Sequence, residues 1–319
     1  MRVPTRRHLL SLTAATAAVA AAAGLVPGRS QNKAQDGPRA VATFSILGDL
    51  VRNVGGERVG LTTLVGPNGD VHVYAPTPGN AKAIAAADIV FVNGLGLEGW
   101  VDRLIVASGT HAAVVVVSEG VPPRSAGSGL NRLASDPHAW QSVANAKIYV
   151  GNIRDRLIAT DAAGENVYQA NAAAYLAKLE ALDAEIRTAI ESIPVARRKV
   201  ITTHTAFGYF GDAYGIEFIA AEGLSTDTDP SARHVARLIE QIRREKIPAV
   251  FIENVADPRL LQRIAAETGV RIGGTLYSDA LSPPDGPAAT YIDMMRSNVR
   301  ELTKGWRADA ELIGKLALA

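Results

Sequence analysis

Three histidines follow short apolar runs of the kind that form buried strands, and their side chains could bind a metal ion. His72 comes after the second such run, His138 after the fourth and His204 at the end of the fifth. In the first two cases an aspartate precedes the histidine by two positions, where its carboxylate could fix the ring. Neutral imidazole is a common ligand of zinc and of other transition metals.

Two carboxylates compete for a fourth ligand position. Asp279 follows the eighth apolar run, and Glu253 ends the seventh. Each would need a cation or an N–H group as partner if it is buried. Three histidines and Asp279 would make a closed four-coordinate site with three nitrogens and one oxygen, which suits Zn²⁺.

The remaining histidines have ordinary surroundings. His8 lies in an N-terminal leader, His111 precedes an apolar strand, and His234 lies among arginines on a helical pattern. Scattered histidines of this kind are usually surface or satisfied core residues. We therefore expect none of the three to bind the metal.

The elements that must position these side chains alternate between β-branched runs and helical patterns, which indicates parallel α/β architecture. The predicted strands are Val41–Leu47, Val59–Gly66, Ile89–Asn93, Ala113–Ser118, Lys199–His204, Glu217–Ala221, Ala249–Glu253 and Arg271–Tyr277. We predict two Rossmann-like lobes, residues 38–160 and 198–319, each with a four-stranded, mostly parallel sheet. Ligands of such sheets bind beyond the carboxyl ends of the strands, so the candidate ligands should converge between the lobes.

One long helix is expected between the lobes, over residues 164–194. Its apolar residues recur at helical spacing and Pro194 closes it. They are Tyr168, Tyr175, Leu179, Leu182, Ile186 and Ile190. A helix of this length should run along both lobes and restrict them to a small relative tilt.

The first thirty residues are expected to be an export signal. Arg6 and Arg7 precede the Ala-rich apolar run from Leu9 to Val26, as in a twin-arginine signal. A membrane anchor is the alternative, although a run of 18 residues is shorter than the ~20 that a spanning helix needs. With no cysteine in the chain there is no lipid-bearing cysteine either, so we expect a soluble protein of the periplasm.

Composition excludes several other classes. The chain of 319 residues has a formal net charge of +1, which gives no basic surplus for nucleic acid. The absence of cysteine excludes disulfide scaffolds, Cys-ligated zinc and iron–sulfur clusters. The glycine pattern of residues 94–99 mimics a dinucleotide fingerprint, but it lacks the supporting acidic and basic residues and indicates a tight turn.

A zinc-dependent hydrolase stays open as an alternative to a binding protein. Such an enzyme keeps one coordination position for water and needs a carboxylate as general base, for which Glu253 and Glu222 are the candidates. A binding protein needs the closed site. Asp279 as fourth ligand favours binding over catalysis.

Six segments in order resemble the periplasmic solute-binding components of zinc/manganese-type ABC importers, the ZnuA/TroA family. They are Ala42–Leu50, Asp70–Tyr74, Asn93–Trp100, Asp136–Trp140, Thr203–Phe210 and Tyr277–Asp279. The resemblance implies two lobes joined by a backbone helix, and a metal bound by His72, His138, His204 and Asp279. It also implies a non-enzymatic, monomeric protein that serves a permease and its ATPase in the inner membrane.

Two features bear on which metal and which partner. The third ligand position is His204, where manganese members of the family usually carry Glu, so zinc is expected and manganese is the alternative. The His-rich loop of some zinc members is absent, since only His111 lies between His72 and His138. The sequence is nearest to the His-poor AztC kind, which implies a periplasmic zinc metallochaperone as a candidate partner.

Overall fold

The computed structural model describes residues 37–125, 135–226 and 230–316. Its strands are β1 (Arg39–Phe44), β2 (Gly60–Val65), β3 (Ile89–Val92), β4 (Ala113–Val116), β5 (Lys199–Thr202), β6 (Glu217–Ala220), β7 (Ala249–Glu253) and β8 (Arg271–Leu276). Its α-helices are α1 (Ser45–Gly55), α2 (Pro78–Ala85), α3 (Val101–Ser108), α4 (Val143–Thr160), α5 (Glu165–Glu191), α6 (Gly208–Tyr214), α7 (Ala232–Glu245), α8 (Arg259–Thr268) and α9 (Tyr291–Leu316).

Two four-stranded sheets form the framework, and the fold predicted from the sequence is confirmed. The strand orders are β2-β1-β3-β4 and β6-β5-β7-β8, and every pairing is parallel. We call the part of the chain that carries the first sheet the N-terminal lobe and the part that carries the second the C-terminal lobe. Parallel strands have their carboxyl ends at one edge of the sheet, where ligands bind. The inner strand β3 leads to Asn93 and the inner strand β5 leads to His204 at these edges.

The boundary between β1 and α1 differs from the prediction. The expected strand Val41–Leu47 ends at Phe44, and the helix begins at Ser45. Ile46, Leu50 and Val54 then follow each other at four-residue intervals and are buried on one helix face. The strand therefore ends three residues before the end that its β-branched run predicted, because helical periodicity begins there.

The long helix between the lobes is present as α5, from Glu165 to Glu191. All six residues of its expected apolar stripe are buried, together with Ala172. Its 27 residues extend about 40 Å, and it contacts α1 and α4, which precede it in the chain, and α6 and α9, which follow it. The 18-residue helix α4, which packs along α5, was not predicted from the sequence.

Within the described residues no helix is both long enough and apolar enough to cross a membrane. The predicted export signal, residues 1–30, lies outside the described part of the chain.

Candidate metal centre

Four side chains converge where the two sheets present the carboxyl ends of their strands. His72 lies on the loop after β2, and His138 directly precedes the short 3₁₀ turn Ala139–Gln141. His204 lies two residues beyond β5, and Asp279 three residues beyond β8. One ligand atom of each lies within 4.8 Å of the others. The structure thus brings together all four residues expected to form the site, two from each lobe.

Four of the separations between these groups are close to those expected around a small tetrahedral cation. The Nε2 atoms of His72 and His138 lie 3.2 Å apart. The Asp279 carboxylate lies 3.3 Å from Nε2 of His72, 3.6 Å from that of His138 and 3.0 Å from that of His204. Bonds of about 2.0–2.1 Å to a tetrahedral zinc ion give ligand–ligand separations of about 3.3–3.4 Å.

The carboxylate of Asp279 has no other use in this part of the structure. It is completely buried, and within the described residues neither of its oxygens accepts a hydrogen bond of good geometry. His138 and His204 are equally buried, whereas the side chain of His72 is 6% exposed. A buried anion that faces three imidazoles fits a cation as its partner.

His138 is oriented by Asp136, which is the fully buried one of the two aspartates noted in the sequence. Oδ1 of Asp136 lies 2.8 Å from Nδ1 of His138 and also accepts the backbone N–H of His138 at 3.0 Å. Arg124 approaches the second oxygen of Asp136 at 3.1 Å. A carboxylate on Nδ1 leaves Nε2 free to bind a metal, as it does behind many metal-bound histidines.

Glu253, the competitor of Asp279 in the sequence, occupies a different place. Its Oε2 lies 2.7 Å from Nδ1 of His204, and its Oε1 accepts the backbone N–H of His204 at 2.9 Å. Glu253 is therefore behind the imidazole rather than in the four-residue cluster. The other candidate general base, Glu222, is not in the cluster either.

The charges around His204 and Asp279 favour the ionised form of each group. Burial alone would lower the pKa of His204, but the nearby carboxylates of Glu253 and Asp279 raise it well above its ordinary value. Burial alone would raise the pKa of Asp279, but the imidazoles of His204 and His138 lower it well below its ordinary value. A metal ion that binds here must therefore displace a proton.

Sequence reasoning missed several residues that hold the ligand segments in place. Asn93 donates its amide to the carbonyl of Pro137 at 2.9 Å, next to His138. Gln141 donates to the carbonyl of Ser278 at 2.7 Å, next to Asp279, and Trp100 donates to that of Val71 at 2.8 Å, next to His72. Of these three residues, Asn93 and Trp100 lie in a segment that resembles the family, whereas Gln141 lies outside all six such segments.

The other histidines lie apart from the cluster. His111 is exposed, and His234 lies in the first turn of α7, where its backbone N–H donates to the Ser231 hydroxyl. His8 is outside the described residues. Across residues 37–125, 135–226 and 230–316, the four residues form the one group of three or more histidines and acidic residues with the spacing of a metal site.

Comparison with known proteins places the chain and its fold in one family. The family model "Zinc-uptake complex component A periplasmic" (ZnuA) matches residues 40–305. The manganese-binding lipoprotein MntA of Halalkalibacterium halodurans is 36% identical over 272 residues, which cover 85% of this chain and 89% of MntA. The iron-binding protein YfeA of Yersinia pestis is 33% identical over 268 residues, 84% of this chain and 86% of YfeA.

A solved structure agrees with these sequence relatives. The periplasmic zinc-binding protein TroA of Treponema pallidum superposes with a TM-score of 0.80 at 30% identity, and the match covers 85% of this chain and 99% of TroA. The names of the three proteins specify three different metals. MntA is named a lipoprotein, whereas this chain contains no cysteine. The chain belongs to the ZnuA/TroA family of periplasmic metal-binding substrate-binding proteins of ABC transporters.

Proposed function

We propose that this protein binds zinc in the periplasm through His72, His138, His204 and Asp279 and delivers it to an ABC permease and its ATPase in the inner membrane. The observation that carries the proposal is the cluster of three imidazoles and one carboxylate, whose ligand atoms lie within 4.8 Å of one another. Residues 1–30 would direct export, and the protein would act as a monomer. A periplasmic zinc metallochaperone is a further candidate partner.

The donor set supports zinc over manganese. Imidazole is a borderline ligand that suits zinc, whereas Mn²⁺ prefers oxygen-rich and six-coordinate surroundings. Three of the four candidate ligands are nitrogens, and His138 and His204 each have a carboxylate on Nδ1 that strengthens the ring as a donor. Zinc also lies above manganese in the Irving–Williams order.

Manganese remains the second candidate because of one feature of Asp279. Both of its oxygens lie near the imidazoles, since Oδ2 is 3.0 Å from His204 and Oδ1 is 3.6 Å from His138. A carboxylate that binds through both oxygens adds a ligand and an oxygen donor, which moves a site toward what Mn²⁺ prefers. The relative MntA is named for manganese.

Competitive titration of chelator-treated protein with zinc and manganese at neutral pH tests the proposal. Wild type should prefer zinc by roughly 100-fold or more on donor type. His204→Glu should narrow that preference by about tenfold or more, because it replaces a nitrogen donor by a carboxylate. His234→Glu, which adds the same charge away from the cluster, should leave the preference unchanged. Equal affinity of wild type for the two metals would contradict the zinc assignment.

A further inference from the structure

The loop that carries His72 is hydrogen-bonded to the C-terminal lobe at two positions, Asn68 and Asp70. The backbone N–H of Asn68 donates to the carbonyl of Leu281 at 2.9 Å. Asp70 accepts the hydroxyl of Thr226 at 2.5 Å with one oxygen and the backbone N–H of His72 at 2.8 Å with the other. The position of His72 is thus set from the opposite lobe as well as from its own.

Asn254 lies at the junction of three ligand-bearing segments. Its amide nitrogen donates to Oδ1 of Asn68 at 3.0 Å and to the carbonyl of Ala280 at 3.2 Å. Ala280 follows the ligand Asp279, and Asn254 itself follows Glu253, which holds His204. One half-buried side chain therefore connects the segment of His72 to those of Asp279 and His204.

His72 depends on such a connection more than the other two imidazoles do. His138 and His204 each have a buried carboxylate against Nδ1, 2.8 Å and 2.7 Å away. Within the described residues no carboxylate pairs with Nδ1 of His72, and its side chain is the least buried of the three, at 6% exposure. The orientation of its ring is consequently set by the backbone of the loop rather than by a partner behind the ring.

We propose that Asn254 is a positioning residue of the metal site: by fixing the loop 66–72 against the Asp279 segment, it holds His72 on the ion and slows metal release. The inference rests on the proposed function, because it requires that the four residues bind a metal. Asn254 is not one of the four candidate ligands, but in this role it controls how long the metal stays bound. Differences in affinity between related binding sites lie mostly in the dissociation rate, which is where this effect should appear.

The test measures release of zinc from the loaded protein into an excess of a chromophoric chelator, with manganese as a parallel probe. Asn254→Ala should release zinc about tenfold faster than wild type, as expected for the loss of one or two hydrogen bonds to carbonyl-type acceptors. Asn68→Gly should accelerate release from the other side of the same contact. Glycine is the appropriate replacement because Asn68 has a φ of 54°, which alanine adopts only with strain.

Asn152→Ala is the matched control. Asn152, on α4, also donates its amide to two oxygens, in its case the backbone carbonyls of Val117 and Glu119, but within the N-terminal lobe. The Asn152→Ala variant should lower the melting temperature of the metal-free protein about as much as Asn254→Ala does. It should leave the rate of metal release within about twofold of wild type. The double variant Asn68→Gly/Asn254→Ala should release no faster than Asn254→Ala alone, since both changes break one contact.

Release from Asn254→Ala at the wild-type rate, or equal acceleration by Asn152→Ala, would overturn the positioning role while leaving the proposed function intact. Additive acceleration in the double variant would also overturn it, because the two residues would then act independently. A wild-type protein that retains neither zinc nor manganese would instead overturn the proposed function and this inference with it.

Discussion

The imidazole of His204 lies between two buried carboxylates, and this arrangement should make metal binding depend on pH. Glu253 is 2.7 Å from Nδ1 and Asp279 is 3.0 Å from Nε2. Burial opposes a charge on the ring, but the two carboxylates outweigh burial and raise the pKa of His204 well above its ordinary value. The two carboxylates therefore favour the protonated ring in the metal-free protein, and a metal that binds Nε2 would release that proton.

We expect about one proton to be released per metal ion bound at pH 7, and affinity to fall by about tenfold per pH unit as the pH drops. Calorimetry in buffers of different ionisation enthalpy measures the proton count. Glu253→Gln removes one of the carboxylates that raise the pKa, so it should release fewer protons and weaken binding by about 10- to 100-fold.

Glu185→Gln is the control for this prediction, because Glu185 is an exposed carboxylate paired with Arg296 away from the site. It should match wild type in both proton count and affinity. An unchanged proton count in Glu253→Gln would show that Glu253 does not set the protonation of His204.

At this scale the sequence predicted which residue types converge but left the roles of the carboxylates open. Asp279 follows an apolar strand and Glu253 ends one. Spacing along the sequence does not distinguish a carboxylate that faces the imidazoles from one that lies behind a ring. Asn254 was not predicted at all. Its contacts are with Asn68, 186 positions away in sequence, and with the Ala280 carbonyl, and such contacts appear only when both sheets are assembled.

Among the helices, a carboxylate of α1 accepts a hydrogen bond from the start of α9. Oδ2 of Asp49 accepts the backbone N–H of Tyr291, the first residue of α9, at 2.9 Å. Burial raises the pKa of Asp49 to about 6, against a weaker opposing effect of that N–H group and of Arg52. Because the folded pKa is higher than the unfolded one, this group favours folding below about pH 4, and that contribution is lost as the pH rises toward 6.

Asp49→Asn should therefore raise the free energy of unfolding at pH 7.5, by about 1–3 kcal/mol, and have little effect at pH 4. The amide oxygen of asparagine can still accept the N–H of Tyr291, so the contact between the helices is kept. Urea denaturation at the two pH values measures the difference.

Asp102→Asn provides the comparison, since Asp102 is an exposed aspartate in the first turn of α3. An exposed carboxylate carries no burial cost, so its replacement should have the same small effect at both pH values. Loss of stability in Asp49→Asn at pH 7.5 would mean that the negative charge at the start of α9 stabilises more than its burial costs.

The helices also show where sequence periodicity succeeds and fails. The stripe of α5 was predicted residue by residue, since its leucines, isoleucines and tyrosines recur at helical spacing along a segment free of Pro and Gly. The pattern of α4 is weaker because polar residues interrupt it. Asn145 is buried on its inner face, and Asn152 faces the carbonyls after β4. Polar side chains that donate hydrogen bonds to backbone carbonyls interrupt the apolar stripe from which a helix is predicted.

Across the whole molecule, the ligands come from two sheets that share one hydrophobic core. The main cluster of buried side chains includes Val90 of the first sheet, Leu179 of α5 and Phe251 of the second sheet. A second, smaller cluster lies between the second sheet, α7 and α8. Because the main core continues from one lobe to the other along α5, metal binding should tighten the molecule by small local shifts rather than by wide hinge closure.

A metal bound between the lobes should stabilise the whole chain in one cooperative unfolding transition. Binding to the folded state alone contributes RT ln(1 + [L]/Kd), about 4 kcal/mol when free metal exceeds Kd a thousandfold. Calorimetric melting of zinc-loaded and chelator-treated protein measures this gain.

His138→Ala and His204→Ala should each lose most of this gain in stability, because each removes a buried candidate ligand whose Nδ1 lies beside a carboxylate. His111→Ala and His234→Ala should keep it, since neither residue belongs to the cluster. Each variant is judged by the difference between its own loaded and metal-free forms, so that packing lost with a buried imidazole cancels. Loss of the gain in His234→Ala as large as in His204→Ala would place the metal elsewhere.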